Sequence, residues 1–193
     1  MHSASNPYSP GAGRTPFALA GRTALMNDFD LLISRAAAGR TDRGIVLHGL
    51  HGVGKTVLLN DFRRRAEEAG FLVVSLEGRD AEGGPKAVRA KLGRGLLQAG
   101  RKAASRGGTA ALRSALGTIA SFADGLQVSG IDVGVGSRTG RGDSGAFAVD
   151  LEETVEDTAV ALGEKKSALI IVVDEMQSLD PALLSALLGA QHQ

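Results

Sequence analysis

The chain has 193 residues, 43% hydrophobic and 22% charged, with 22 Lys and Arg against 21 Asp and Glu for a net charge of +1. That length and balance suit one globular domain, or one domain plus part of another, and supply no bulk attraction to nucleic acid or a membrane surface. Zero cysteines exclude disulfides and thiolate metal sites, and the four histidines (His2, His48, His51, His192) lack metal-ligand spacing. No apolar run approaches the length of a membrane span, and the polar N-terminus lacks the apolar stretch of a signal peptide, so a cytoplasmic protein is expected.

In chain order, residues 1–15 read as a flexible Pro/Ser/Gly-rich leader and 16–193 as the folded domain. Phe17-Ala18-Leu19-Ala20-Gly21-Arg22 is a short apolar approach. Thr23 is placed to cap a helix whose Leu25, Met26, Phe29, Leu32 and Ile33 share one face. Ile45 to His48 is the expected first strand, and Lys55 to Ala69 the helix after it, stopped by Gly70. Phe71 to Leu76 reads as a second strand, apolar on both faces as parallel sheets require. Helical patterns follow from Pro85 to about Gln98 and from Ala110 to Phe122.

Leu126 to Val135 alternate as a small hairpin around Ser129-Gly130. Ser137 to Gly145 is a glycine-rich loop. It contains Arg141-Gly142-Asp143, the integrin-binding tripeptide, which is read as coincidence because nothing indicates secretion. Residues from about 103 to 147 form an insert longer than a minimal core needs, and the positive charge of Arg101, Lys102, Arg106 and Arg113 reads as a solvated face. Asp150 is expected to cap a helix to Leu162, with Glu152 and Glu153 in its first turn. Ala168 to Val173 is the third strand, and Pro181 opens a last helix from about Asp180 to Leu188. Strands alternating with helices predict an α/β fold with a parallel sheet.

Two motifs carry chemistry. Gly49-Leu50-His51-Gly52-Val53-Gly54-Lys55-Thr56 fits the phosphate-binding pattern G-x-x-x-x-G-K-[ST] at every fixed position and sits between an apolar run and a helix that continues with Val57. Glycines let successive backbone N–H groups curl around a polyphosphate, and the following helix adds its positive end. Lys55 supplies a mobile cation for the β- and γ-phosphates, and Thr56 a hydroxyl for Mg²⁺. The dinucleotide fingerprint fits worse, since the glycines run G-x-x-G-x-G. The second motif is the aliphatic run Ile170 to Val173 followed at once by Asp174-Glu175. A carboxylate there would complete the Mg²⁺ shell (Asp174), and its neighbour would polarise the attacking water (Glu175).

On these residues the chain resembles the AAA+ ATPases, especially archaeal and bacterial ATPases related to origin-recognition proteins and signal-transduction NTPases. The Walker A element of that family matches Gly49 to Thr56, and its Walker B element matches Leu169 to Glu175, with Met176-Gln177-Ser178-Leu179 as its usual continuation. Phe17 to Arg22 resembles the segment that lines the adenine pocket, which makes Arg22 a nucleotide-binding candidate.

The resemblance implies a P-loop three-layer sandwich, ATP and Mg²⁺ as ligands, and ATP hydrolysis with Lys55 and Glu175 as catalytic residues, coupled to conformational change in a partner or DNA. The alternative is a nucleotide-dependent switch or scaffold with little turnover. A small-molecule kinase is the third option, disfavoured by the adjacent Asp-Glu. The family's next strand belongs between the strands of the two motifs, and its sensor-1 residue, arginine finger and helical lid lie further on. The chain is therefore expected to be an N-terminal fragment of low stability, with an incomplete sheet. DNA or protein contacts and homo-oligomer formation would come from regions outside it.

Overall fold

The computed structural model describes residues 21–40, 43–78, 84–128 and 140–191. The elements are α1 (Thr23–Ala37), α2 (Lys55–Glu68), β1 (Leu72–Glu77), α3 (Gly84–Ser105), α4 (Ala110–Gly125), α5 (Phe147–Gly163), β2 (Leu169–Asp174) and α6 (Pro181–Ala190), with a 3₁₀ turn at Met176–Ser178. β1 and β2 pair in parallel, from Leu72 opposite Leu169 to Glu77 opposite Asp174. Alternation along the strands sends side chains to opposite faces. Val74, Leu76, Leu169, Ile171 and Val173 join the main core with α3, α4, α5 and α6. Val73, Ala168 and Ile170 join a second core under α1 and α2. Helices therefore cover both faces of the sheet, the α/β arrangement expected from the order of elements.

Segment 45–48 forms no strand, contrary to the expectation from its apolar run. Its side chains still alternate: Ile45 and Leu47 pack on the α1–α2 core, and Val46 is 65% exposed. What is missing is a backbone partner, because the sheet among the described residues is the β1–β2 pair alone. Side-chain pattern selects a strand's two faces, but only a neighbouring strand satisfies its N–H and C=O groups. β2 shows the same lack from its own side. It is aliphatic except for Asp174, yet half-buried at every position, whereas β1 buries Leu72, Val74 and Leu76.

Several local expectations shift. Thr23 is the first residue of α1, not its cap; Arg22 holds the N-cap position without a side-chain capping bond. Gly70 takes φ +86° just after α2, as a C′ glycine does. α3 runs to Ser105, well past Gln98, because Leu92, Leu96, Leu97 and Gly100 keep one face on the core. Thus the insert begins inside a helix. α5 starts at Phe147, ahead of Asp150. Asp150 instead reaches back to the loop before it and accepts hydrogen bonds from Ser144 N (2.8 Å), Ser144 Oγ (2.6 Å) and Gly145 N (3.1 Å). Within the hairpin expected over 126–135, Leu126 and Gln127 close the end of α4, and residues 129–135 lie outside the described ones.

The Arg-Gly-Asp tripeptide is held against α5. Arg141 binds Glu156 (2.7 Å) and Asp157 (2.8 Å), Gly142 is buried, and Asp143 accepts from Gly140 N (2.9 Å). An arginine committed to two carboxylates is not presented to a receptor, nor is it aimed at the glycine loop.

α1 is fastened to α2 by stacked Phe29 and Phe62, 4.2 Å between centroids, and by Arg65, which bridges Asp61 (2.8 Å) and Asp30 (2.9 Å). Burial alone would raise the Asp61 carboxyl, but hydrogen bonds from Arg64 and Arg65 outweigh it and hold it below its ordinary value of 3.8. A carboxyl lowered in the folded state contributes stability above pH 3.8 that is lost as pH falls through the lowered value. Asp61→Asn is expected to cost about 1–2 kcal/mol at neutral pH and to flatten the acid limb of a thermal-unfolding series. A limb as steep as that of the unmodified chain would contradict the assignment. Hydrogen exchange provides a second check: the amides of residues 45–48 should exchange at least about tenfold faster than those of β1, because no strand receives them.

Candidate functional site

The glycine loop enters α2 through Gly54, which holds the N-cap position at φ +86° with no side-chain cap. Gly52 is also left-handed, at φ +80°, and a Cβ at either residue would meet nothing within 4 Å. The need for glycine here is therefore conformational, and the space over the loop is open. The first N–H groups of α2 lack intrahelical acceptors, as in every helix, and α2 receives no capping side chain. By contrast, Thr109 caps α4 and Asp180 caps α6.

Two cations rest on the loop. Lys55 Nζ donates to the carbonyls of Gly49 (3.0 Å) and Leu50 (2.9 Å), and Arg22 Nη2 donates to the carbonyl of Val53 (2.7 Å). Arg22 thus lies beside the loop, while residues 17–20 of its approach segment fall outside the described ones. Leu50 is 81% exposed, His51 is exposed as well, and Val57 is half-buried in the first turn of α2.

The second motif meets the first at α2. In-register pairing brings Asp174 to the C-terminal edge of the sheet beside Glu77. Asp174 Oδ2 accepts from Thr56 Oγ1 at 2.7 Å, across 118 residues of sequence, and its Oδ1 accepts from Glu175 N at 2.9 Å. Both carboxylate oxygens are thereby fixed in direction. A hydroxyl and a carboxylate in contact make a hard oxygen pair of the kind that suits Mg²⁺. Among the described residues no three His, Cys, Asp or Glu side chains converge on a metal position. Thr56 and Asp174 are therefore the residues that could hold a divalent cation.

Glu175 sits in a left-handed turn at φ 51°, ψ 42°. Its carbonyl accepts from Ser178 N (2.8 Å), and its carboxylate Oε2 accepts from Gln177 Nε2 (2.5 Å). Gly78, one residue past β1, packs against this turn so tightly that a Cβ there would lie 2.3 Å from the Glu175 carbonyl. The geometry adds Gln177 and Gly78 to the residues expected from sequence. Gln177 was visible only as a residue following the acidic pair, and Gly78 only as a glycine following a strand.

Beside the Thr56–Asp174 contact lies a cleft of about 240 Å³ lined by Thr56, Asn60, Arg63, Ser75, Glu77 and Asp174, among others. Thr56, Asn60 and Arg63 recur at helical spacing on α2, and Ser75 and Glu77 at strand spacing on β1. None of the described helices is long and apolar enough to cross a membrane.

A family model for the AAA ATPase domain matches residues 18–193. Searches of curated proteins and of solved structures found no match. The family match spans both motifs, the helices on both faces of the sheet and the α3–α5 region between the strands, and the chain belongs to the AAA ATPase domain family.

Proposed function

We propose that the chain binds Mg·ATP between the glycine loop and Asp174 and hydrolyses it, with Glu175 as general base. The observation that carries this reading is the 2.7 Å contact from Thr56 to Asp174, which joins the two motifs into one place. Residues 49–54 and the first turn of α2 present backbone N–H groups to the phosphates. Lys55 exchanges its carbonyl partners Gly49 and Leu50 for phosphate oxygens. Thr56 and Asp174 would hold Mg²⁺, which would supply positive charge against the phosphates. Arg22, already bonded to Val53 O, is held beside the loop, within the reach of a guanidinium from a bound nucleotide.

Glu175 takes a proton from the attacking water, and its carboxylate keeps one oxygen for that role while Gln177 occupies the other. Positioning and charge neutralisation then account for most of the rate, as is general for phosphoryl transfer. A cytoplasmic setting, with abundant ATP and Mg²⁺, accords with this chemistry.

Lys55→Ala should weaken Mg·ATP binding at least about tenfold in calorimetry, the loss of a charge-assisted hydrogen bond; unchanged affinity would remove the loop from the site. Glu175→Gln should retain ATP affinity while phosphate release falls roughly 10²- to 10⁴-fold. Equal, slow release by both forms would show that turnover is not the function of this chain and would leave a nucleotide-dependent switch. Gly78→Ala forces the Glu175 carbonyl to move. Turnover is expected to fall about ten- to a hundredfold, since small misplacements of a catalytic group are costly, with ATP affinity preserved.

A further inference from the structure

The net charge of +1 conceals a strong segregation. Between Pro85 and Ala123 the chain carries eight Lys and Arg and no Asp or Glu, while the remainder has 14 Lys and Arg against 21 Asp and Glu, a net of −7. That basic stretch is α3 and most of α4. On α3, a turn of about 100° per residue puts Lys91, Arg94, Arg101 and Lys102 in one arc with Gln98 and Ser105. The opposite face, with Leu92, Leu96, Leu97 and Gly100, is sunk in the core. Arg94 and Lys102 are exposed.

Lys91 to Lys102 covers about 17 Å of helix at 1.5 Å per residue. Beyond it the charge continues through exposed Arg106 and Arg113. Lys165, which donates to the Gly107 carbonyl, brings the end of α5 to the same place. The N-terminus of α4 adds its positive pole there.

We propose that this α3 stripe docks the phosphodiester backbone of a nucleic acid, without reading its sequence. Three observations select that partner. First, among the described residues the exposed large hydrophobic ones are Leu31, Val46, Leu50, Val53, Val149, Val160 and Leu188, none of them on α3 or α4. A protein interface needs apolar or aromatic anchors at its centre, whereas phosphate contacts need only cations. Second, the acidic face of α5 is already engaged within the chain and offers little to the stripe of another copy. Asp150 serves Ser144 and Gly145, Glu153 accepts from Gly142 N, and Glu156 and Asp157 hold Arg141. Third, the whole sequence has no Trp and 4% aromatic residues, so platforms for stacking bases are scarce and binding through the backbone is what the surface offers.

The test is fluorescence anisotropy with a labelled duplex DNA of about 20 base pairs and mixed sequence, alongside single-stranded DNA and duplex RNA, from about 50 to 300 mM KCl. The expected result is binding to at least one of the three, with log K falling linearly in log salt and a slope near −0.9 per phosphate contact on duplex DNA, about −0.7 on single strands. Arg94→Ala, Lys102→Ala and Arg106→Ala should each weaken binding alike across sequences and reduce the slope by about one contact. The triple variant should lose at least about tenfold in affinity at the lowest salt.

These side chains lie on the surface, so helical circular dichroism and binding of a fluorescent ATP analogue should match the unmodified chain. If a variant were misfolded, reversal of Arg94 alone to Glu would serve instead. Three outcomes would overturn the proposal: no binding to any of the nucleic acids at about 50 mM KCl, a triple variant with unaltered slope and affinity, or tighter binding to a labelled polyglutamate of equal charge. Because the measurement needs no nucleotide turnover, it stands or falls independently of the ATPase reading.

Discussion

Asp174 is held from two directions, and the architecture of the site follows from that. One oxygen faces Thr56 at the start of α2, and the other faces the Glu175 amide at the start of the next turn. For the first contact to exist, α2 must begin at the C-terminal edge of the sheet, which the left-handed Gly54 brings about. For the second, β2 must end at Asp174, opposite Glu77 in β1. The α1–α2 core fixes the height of α2 over the sheet through Phe29, Phe62 and Ile170. The core on the other face fixes β2 through Leu169, Ile171 and Val173. The two hydrophobic clusters therefore serve one short polar contact between them.

The region between the strands takes on a definite structural role. α3, α4 and α5 form a helical layer whose middle member, α4, is buried from Ala115 through Ala123. Arg89 ties this layer to the site's surroundings. It lies 4.5 Å from the centre of the Phe147 ring and bridges to Asp180 at 2.5 Å, where the chain turns into α6. This arginine holds the Asp180 carboxyl below its ordinary range. A layer that at first resembles surplus chain is the support on which β2 and the turn after it rest.

Sequence reading recovered what depends on local pattern. The glycine loop, the aliphatic run into Asp174-Glu175, the Gly70 stop and the Pro181 start are all set by residues within a few positions of one another. It failed where an element depends on a neighbour distant in sequence. Ile45 to His48 has a strand's side chains but no paired strand, and periodicity does not report the second requirement. Asp150 reads as a cap because Asp often is one, yet the helix starts ahead of it and its oxygens serve the loop behind. Gln177 read only as part of the stretch after the acidic pair and Gly78 gave no signal, because their importance is a distance to Glu175. The charge of α3 was legible only in part: Arg101, Lys102, Arg106 and Arg113 read as a solvated face, while the arc that joins Lys91 and Arg94 to Arg101 and Lys102 depends on one helix running on to Ser105.

Glu175 occupies a backbone conformation in which Gly or Asn would be more comfortable, since a β-carbon is crowded at φ 51°. Its side chain, however, is the carboxylate to which the proposed hydrolysis assigns the attacking water. Folding and chemistry thus ask for different amino acids at one position. Replacing Glu175 by glycine would relax the turn and leave it chemically mute, so selection for thermal robustness alone would tend to erase this residue. A left-handed glutamate at that point records a compromise between two demands, and the tightly packed Gly78 and the amide of Gln177 are the local means by which the fold sustains it.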